Sequence, residues 1–171
     1  MLVDYVELRV PEPLYCYIKH TTGGESIRLG KNGILWAVIK QHLICYTRYM
    51  AEQDSSNPIL KNPVIKIELL RKNGAVSPSK KVTLNTASRK YLSLTGSRII
   101  VRLLISEFQK TFLDYMRGVT MANPQLNIKD GIKIFCLEYG LDFIEHYEML
   151  KKRWYRYRTK DAIQQNTLLN L

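Results

Sequence analysis

The sequence predicts a mostly helical α+β fold, with a small N-terminal α/β portion and a C-terminal helical bundle that contains a helix-turn-helix-like pair. The clearest strand patterns lie in the first 70 residues, and long apolar stripes of helical period lie after residue 95. Polar stretches with Asn-Pro and Asn-Gly turn pairs divide the chain. A chain of 171 residues is long enough for one domain or two small ones. We therefore divide it into an α/β portion at 1–70, a basic connector at 71–94, a helical unit at 95–160 and a flexible tail at 161–171.

The N-terminal portion is expected to alternate strands with helices. The run VDYVELRV, residues 3–10, is rich in β-branched and aromatic side chains and predicts a strand. Residues 11–24 predict a short helix with prolines at its entry and a glycine pair at its end. A short strand follows at 25–30, and the apolar period of residues 31–50 predicts one continuous helix. The run PVIKIELL, residues 63–70, alternates cleanly and predicts a strand that begins with its proline.

Three further helices are expected in the C-terminal part. Residues 98–118 keep an apolar stripe of helical period, and the Arg and Gly at their end are typical of a helix C-terminus. Residues 128–139 predict the second helix, with Asn127 as the N-cap that accepts a backbone N–H. Gly140 is expected to break this helix, and a third helix is predicted at 145–159.

The last two helices have the outline of a helix-turn-helix, which is two helices joined by a glycine-containing turn, with a basic second helix. The tight corner needs a small side chain in the first helix, and Cys136, four residues before Gly140, meets this need. In the second helix we expect Tyr147, rather than His146, to point inward. The same inward stripe continues with Leu150, Trp154 and Tyr157.

The chain is strongly basic, with 26 Lys and Arg against 15 Asp and Glu and a formal net charge of +11. Such a charge attracts anionic partners, above all nucleic acid. We expect the outer face of the last helix to bind double-stranded DNA, because arginine bonds guanine edges while Lys and Tyr hold phosphates. RNA is an alternative ligand of the same helix. The predicted nucleic-acid-binding residues are His146, Met149, Lys151, Lys152, Arg153, Tyr155, Arg156, Arg158 and Lys160.

A simpler interpretation of this helix stays open. Its Trp and Tyr residues would then be core residues, and its charges would form a solvated face that meets only water. A competing function also stays open: a non-enzymatic structural or assembly protein, whose basic surface contacts acidic protein or packaged genome. The tail, with Leu168, Leu169 and Leu171, is either a frayed end or an oligomer contact. A homodimer is one assembly that the sequence allows, with the N-terminal part as the contact between copies or with another protein.

The sequence lacks the motifs of the common enzyme classes. Its three histidines, His20, His42 and His146, have no metal-binding spacing, and there is neither a GxxxxGKS/T loop nor a GxSxG elbow. We therefore expect a non-enzymatic protein with no cofactor, no metal and no small-molecule substrate. We expect no signal peptide, because the first residues lack a basic region followed by a long apolar one, and no apolar run reaches the length of a membrane span. The three scattered cysteines are expected to be reduced, which favours a cytoplasmic location without membrane contact.

Several segments occur in an order that resembles small proteins of Bacteroides-type phages and mobile elements. These segments are YVELRVPEPLYCYIKHTTGGESIRL, NPVIKIEL, SRKYLSL, SEFQKTFLDYM and NIKDGIKIFCLEYGL followed by HYEMLKKRWYRYRTK, and together they cover most of the chain. The most specific part is the C-terminal pattern of Phe135, Tyr139-Gly140 and YEMLKKRWYRYR. The resemblance implies a helix-turn-helix DNA-binding protein, acting as a phage or mobile-element regulator or accessory factor in the cytoplasm of a bacterial host.

Overall fold

The computed structural model describes residues 4–28, 33–52, 61–69 and 90–169. It confirms a mostly helical α+β protein with a small N-terminal strand portion and a C-terminal helical region. The chain forms two compact units, unit 1 (Met1–Ile105) and unit 2 (Ser106–Leu171), and each is described by itself. The predicted connector at 71–94 lies mostly outside the described residues.

Strands and helices are mixed in unit 1, whereas the described residues of unit 2 form helices and turns. The elements that begin in unit 1 are β1 (Asp4–Arg9), α1 (Glu12–Thr22), β2 (Ser26–Arg28), α2 (Ile34–Gln41), β3 (Leu43–Ile44), α3 (Tyr46–Glu52), β4 (Val64–Leu69), β5 (Tyr91–Leu92) and α4 (Leu94–Ala122). Helix α4 continues into unit 2, where α5 (Ile128–Glu138) and α6 (Phe143–Leu169) follow.

A three-stranded sheet in the order β1-β4-β2 forms the framework of unit 1. The central strand β4 pairs antiparallel with β1 and parallel with β2, so that Ile67 lies between Val6 and Ile27. The alternation predicted for β4 is observed, because Ile65 and Ile67 are fully buried while Lys66 between them is exposed. All three strands predicted in the first 70 residues are thus confirmed.

Helix α1 has the ends that its sequence predicts. It begins directly after Pro11 and ends where Gly23 adopts a positive φ of 70°, which glycine takes without strain. Its Leu14 and Ile18 lie four residues apart on one face, and both are buried. These side chains and the buried residues of β1 and β4 make up much of the apolar core of unit 1.

The prediction of a single helix at residues 31–50 is wrong. The described part of this segment contains two helices, α2 and α3, separated by the short strand β3. Helix α2 ends at Gln41, and the N–H of His42, the next residue, donates to the Ile39 carbonyl at 3.0 Å. Ile44 of β3 then pairs antiparallel with Tyr91 of β5. Pairing with a strand far along the chain overrides the local helical preference, and no local pattern reveals such a partner.

Hydrogen bonds and a close contact join His42, which precedes β3, to Ser93 and Gly96 at the start of α4. The Ser93 N–H donates to the His42 carbonyl at 3.0 Å, and Ser93 Oγ lies 3.3 Å from His42 Nδ1. The same Oγ accepts the Gly96 N–H at 3.1 Å and so caps the first turn of α4. A Cβ at residue 96 would overlap the His42 side chain, so the close approach requires glycine.

Helix α4 is longer than predicted at both ends. It spans 29 residues, whereas the apolar stripe predicted a helix at 98–118. Arg117 and Gly118 do not end it, because the Asn123 N–H donates to the Val119 carbonyl at 2.9 Å and the helical ladder continues. A glycine inside a helix lowers its stability by up to about 1 kcal/mol relative to alanine. The helical turns of α4 before and after Gly118 outweigh this cost.

Helix α6 also exceeds its prediction. It spans 27 residues and reaches Leu169, whereas the sequence predicted an end near residue 159 and a separate tail at 161–171. No glycine or proline follows Gly140 in the chain. The backbone therefore meets no residue that disfavours helix beyond the predicted end.

Phe135 of α5 lies at the centre of the unit 2 core. It is fully buried, and its ring lies between 4.5 and 6.2 Å, centroid to centroid, from the rings of Phe108, Phe112, Tyr115 and Tyr139. The Phe112 ring meets it edge-on at 5.0 Å, an arrangement that aromatic pairs favour. The buried residues Ile132, Cys136, Leu150 and Trp154 belong to the same core.

Candidate nucleic-acid interface

A hydrogen-bonded turn of four residues, 139–142, joins α5 to α6. Gly140 has a φ of 66°, which confirms the prediction that glycine ends the first helix of the pair. The Leu141 N–H donates to the Cys136 carbonyl at 2.8 Å, a bond typical of helix C-termini closed by a left-handed glycine. The Leu141 side chain is itself buried, so the turn is held by backbone and side chain together.

Side-chain caps fix the first turns of both helices. Asn127 Oδ1 accepts the Lys129 N–H at 3.0 Å, so the N-cap predicted for α5 is confirmed. At the start of α6, Asp142 Oδ1 accepts the Glu145 N–H at 3.0 Å. Each cap satisfies a backbone donor that has no partner within its helix. The direction of α6 is therefore set from its first turn.

His146, Leu150 and Trp154 form the buried face of α6 at four-residue spacing. The prediction that Tyr147 rather than His146 points inward is wrong, because His146 is only 8% exposed while Tyr147 is half-buried. Helix α6 begins at Phe143, earlier than predicted, and the shorter turn moves the buried face back by one residue. Because so little of the His146 side chain is exposed, it is not counted among the accessible candidate DNA contacts.

The remaining predicted residues lie outside this buried face. The exposed ones, which we call the α6 outer face, are Met149, Lys152, Tyr155, Arg156 and Arg158. Lys151 and Arg153 are half-buried at its flanks. Lys160 belongs to the helix, but its side chain lies outside the described part of the chain. Seven of the nine predicted side chains are therefore accessible on one helix.

Four cations of α6 have no carboxylate partner among the described residues, namely Lys152, Arg153, Arg156 and Arg158. Lys151 differs, because Glu148 Oε1 lies 3.6 Å from its Nζ and the Tyr147 ring lies 5.3 Å from the same nitrogen. Burial, and secondarily the charge of Arg156, lowers the pKa of Arg153 below its ordinary value. Arginine nevertheless stays protonated in proteins, so these neighbouring cations repel one another unless an anion binds.

Charge is unevenly distributed along α6. Asp142, Glu145 and Glu148 lie at its cap and in its first two turns, and no acidic residue occurs between Met149 and Lys160. Helix-turn-helix proteins usually contact base edges through the N-terminal residues of their second helix. Here those turns carry negative charge, which repels phosphates. The middle of α6 is therefore the part suited to a polyanion.

Most of the net positive charge lies outside the unit that contains the α6 outer face. Unit 2 has 10 Lys and Arg against 8 Asp and Glu, a net charge of +2. Unit 1 has 16 against 7, a net charge of +9. The overall charge of +11, which suggested nucleic-acid binding by the last helix, therefore belongs mainly to unit 1.

Across the described residues, no group of three His, Cys, Asp or Glu side chains is placed to hold a metal ion. Burial raises the pKa of the Cys136 thiol to about 11, so this thiol is protonated and unreactive at neutral pH. None of the helices in the described ranges combines the length and apolar character that crossing a bilayer requires.

Comparison of the chain with protein-family models, with curated proteins and with solved structures found no match.

Proposed function

We propose that the protein binds double-stranded DNA through the α6 outer face. The observation that carries the proposal is the group of exposed cations Lys152, Arg156 and Arg158, which have no carboxylate partner among the described residues. Arg153 at the flank adds a fourth cation with no carboxylate partner in the described part of the chain. Phosphates would supply the counter-charge, and arginine can bind each phosphate through two parallel hydrogen bonds.

The contact that this face supports best is with the phosphate backbone rather than with base edges. The first turns of α6 are acidic, and the cations follow them. Tyr155, which is 47% exposed, can donate its hydroxyl to a phosphate oxygen beside them. Each cation that binds a phosphate releases a counterion and adds about 0.9 to the salt slope of log K. Binding should therefore depend strongly on salt and weakly on sequence.

The biological role that we propose is a phage or mobile-element regulator or accessory factor in the cytoplasm of a bacterial host. Its support is the resemblance of the quoted segments to such proteins, together with the basic helix. A homodimer would place two copies of the α6 outer face on one duplex and double the number of phosphate contacts.

The first prediction concerns the double variant Lys152→Ala/Arg156→Ala. Because each cation is expected to release one counterion, the salt slope of log K should fall by about 1.8 relative to wild type. The measurement is a fluorescence-anisotropy titration of a labelled duplex at several salt concentrations. Wild-type affinity and slope in this variant would contradict the proposal.

Lys110→Ala/Arg117→Ala is the matched control for this experiment. Both residues are exposed on α4 within unit 2, so the control removes the same charge from the same unit. It should bind DNA with a slope close to that of wild type. An equal loss in both double variants would mean that general charge, and not the α6 outer face, is responsible for binding.

Exposed apolar side chains favour a second candidate function, a structural or assembly protein that contacts other protein chains. Leu137 of α5 exposes 71% of its surface and Ile144 of α6 exposes 87%. Large exposed apolar side chains mark protein contacts where they adjoin one another. Light scattering coupled to size exclusion, without nucleic acid, separates the two functions. We expect a monomer or dimer for a DNA-binding regulator, whereas a stable high-order assembly would favour the structural function.

A further inference from the structure

Arg98 and Arg102 lie on the exposed face of α4 within unit 1 and take no part in the α6 outer face. They are four residues apart, so their side chains leave the same face of the helix with Cβ atoms about 5–6 Å apart. Ile100, between them in sequence, is fully buried on the opposite side. Lys90, just before β5, is a third exposed cation of this region.

These three cations are not neutralised within the described part of the chain. Neither Arg98, Arg102 nor Lys90 forms an ion pair with a described carboxylate. The sequence around them offers none, because no acidic residue occurs between Glu68 and Glu107. This is the longest part of the chain without a negative charge, and it contains eight Lys and Arg.

Two carboxylates of unit 1 that could serve as counter-charges are engaged elsewhere. Glu68 Oε2 accepts a hydrogen bond from Arg28 Nε at 2.8 Å. Glu25 Oε1 accepts the Tyr15 hydroxyl at 2.6 Å and lies 3.9 Å from Lys19 Nζ. Arg28 and Lys19 are thus paired cations of unit 1, in contrast to the arginines of α4.

We propose that Arg98 and Arg102 form a second nucleic-acid contact, separate from α6, that binds the phosphate backbone. Like charges four residues apart disfavour the helix that carries them, and a phosphate bound between them removes this repulsion. The net charge of +9 on unit 1 attracts a polyanion over a distance, and the two arginines give it a defined place to bind. Nucleic acid is a polyanion that presents phosphates in a continuous row, as two neighbouring arginines require.

Helix α4, which carries these arginines, is held at its first turn by a side-chain cap and a close contact. Ser93 caps its first turn through the Gly96 N–H, and Gly96 packs against His42 two residues before Arg98. Backbone already ordered in this way loses little conformational freedom when a ligand binds. The two guanidinium groups are therefore presented by a preformed surface.

This contact does not rest on the function proposed for α6. If both surfaces bind the same duplex, each releases its own counterions, and the losses caused by removing them should add in log K. If only the α4 arginines bind, the chain still contacts nucleic acid, through unit 1 alone.

The test uses the full-length chain and a labelled duplex of random sequence, titrated at several salt concentrations. Arg98→Ala/Arg102→Ala should lower the salt slope of log K by about 1.8, and its combination with Lys152→Ala/Arg156→Ala should lower it by about 3.6. The matched control is Lys19→Ala/Arg28→Ala, which removes two paired cations from the same unit and should keep the wild-type slope. An unchanged slope in Arg98→Ala/Arg102→Ala, or an equal loss in the control, overturns the proposal.

Two further measurements keep the result interpretable. Arg98→Lys/Arg102→Lys keeps the charges and should keep the slope, whereas a loss as large as that of the alanine variant would trace the effect to misfolding and overturn the proposal. Labelled polyglutamate serves as an acidic-protein probe. Weaker binding of polyglutamate with unchanged DNA binding in the alanine variant would assign the surface to an acidic protein instead. A loss in Arg98→Ala/Arg102→Ala without a loss in Lys152→Ala/Arg156→Ala supports this contact and contradicts the function proposed for α6.

Discussion

Gly96 and Gly118 lie in the same helix, α4, in opposite surroundings. A Cβ at residue 96 would overlap the His42 side chain and lie 3.1 Å from Ser93 Oγ. A Cβ at residue 118 would have no heavy atom within 4 Å beyond its own helix. The same substitution should therefore have opposite effects at the two positions.

We predict that Gly96→Ala destabilises the protein and that Gly118→Ala stabilises it. At residue 96 the overlap with His42 is expected to cost about 1–3 kcal/mol, which exceeds the gain in helix propensity. At residue 118 only the propensity gain applies, about 0.5–1 kcal/mol. Urea denaturation followed by circular dichroism measures both changes. Equal shifts of the same sign would contradict the packing described for Gly96.

The residues of the candidate interface were only partly predictable. Helical period places Lys152 and Arg156 opposite the apolar stripe without further information, and the structure agrees. That His146 rather than Tyr147 is buried was not predictable in this way, because both side chains have a polar end and an apolar body. Which of them is buried depends on where α6 starts, and that start follows from the Asp142 cap.

At the scale of the element, predictions succeeded where an element is defined by neighbouring residues. The pair α5–α6 was predicted because Asn127, which caps the start of α5, and Gly140, which follows its end, are neighbours of that helix in the sequence. The Asp142 cap, which begins α6 at Phe143, was not predicted. The segment 31–50 was not, because β3 exists only through its pairing with β5. Helix lengths were underestimated in α4, where Gly118 is an interior residue, and in α6, where no stop signal is present.

The turn between α5 and α6 gives the element-scale prediction. Gly140→Ala forces a Cβ into the left-handed region, which is expected to lower the free energy of unfolding by about 1–2 kcal/mol. Gly140→Asn should lower it less, since asparagine tolerates this conformation better. Thermal and urea denaturation of the two variants test the order. A loss in Gly140→Asn as large as that in Gly140→Ala would show that side-chain volume, and not φ, is the limiting factor.

At the scale of the whole molecule, the fold class followed from sequence because apolar period alone separates a strand-containing first part from a helical second part. The distribution of charge between the two units did not follow, because the boundary between them lies inside α4, where the sequence has no turn or linker signal. When the net charge is counted separately for each unit, most of the positive excess belongs to unit 1, which contains Arg98 and Arg102. The salt slopes of log K for the two double variants, alone and combined, therefore measure what each unit contributes to DNA binding.

The contact between His42 and Ser93 joins residues 51 positions apart, whereas the turn after α5 closes over four. Closing a long loop loses more chain entropy than closing a short one, and contacts between distant residues slow folding. The C-terminal helix pair can therefore form early, from local information alone. The segment around Leu43–Ile44, whose neighbours favour helix, reaches its final conformation only after its distant partner strand arrives. In a chain emerging from the ribosome, β3 consequently has to wait for the synthesis of β5.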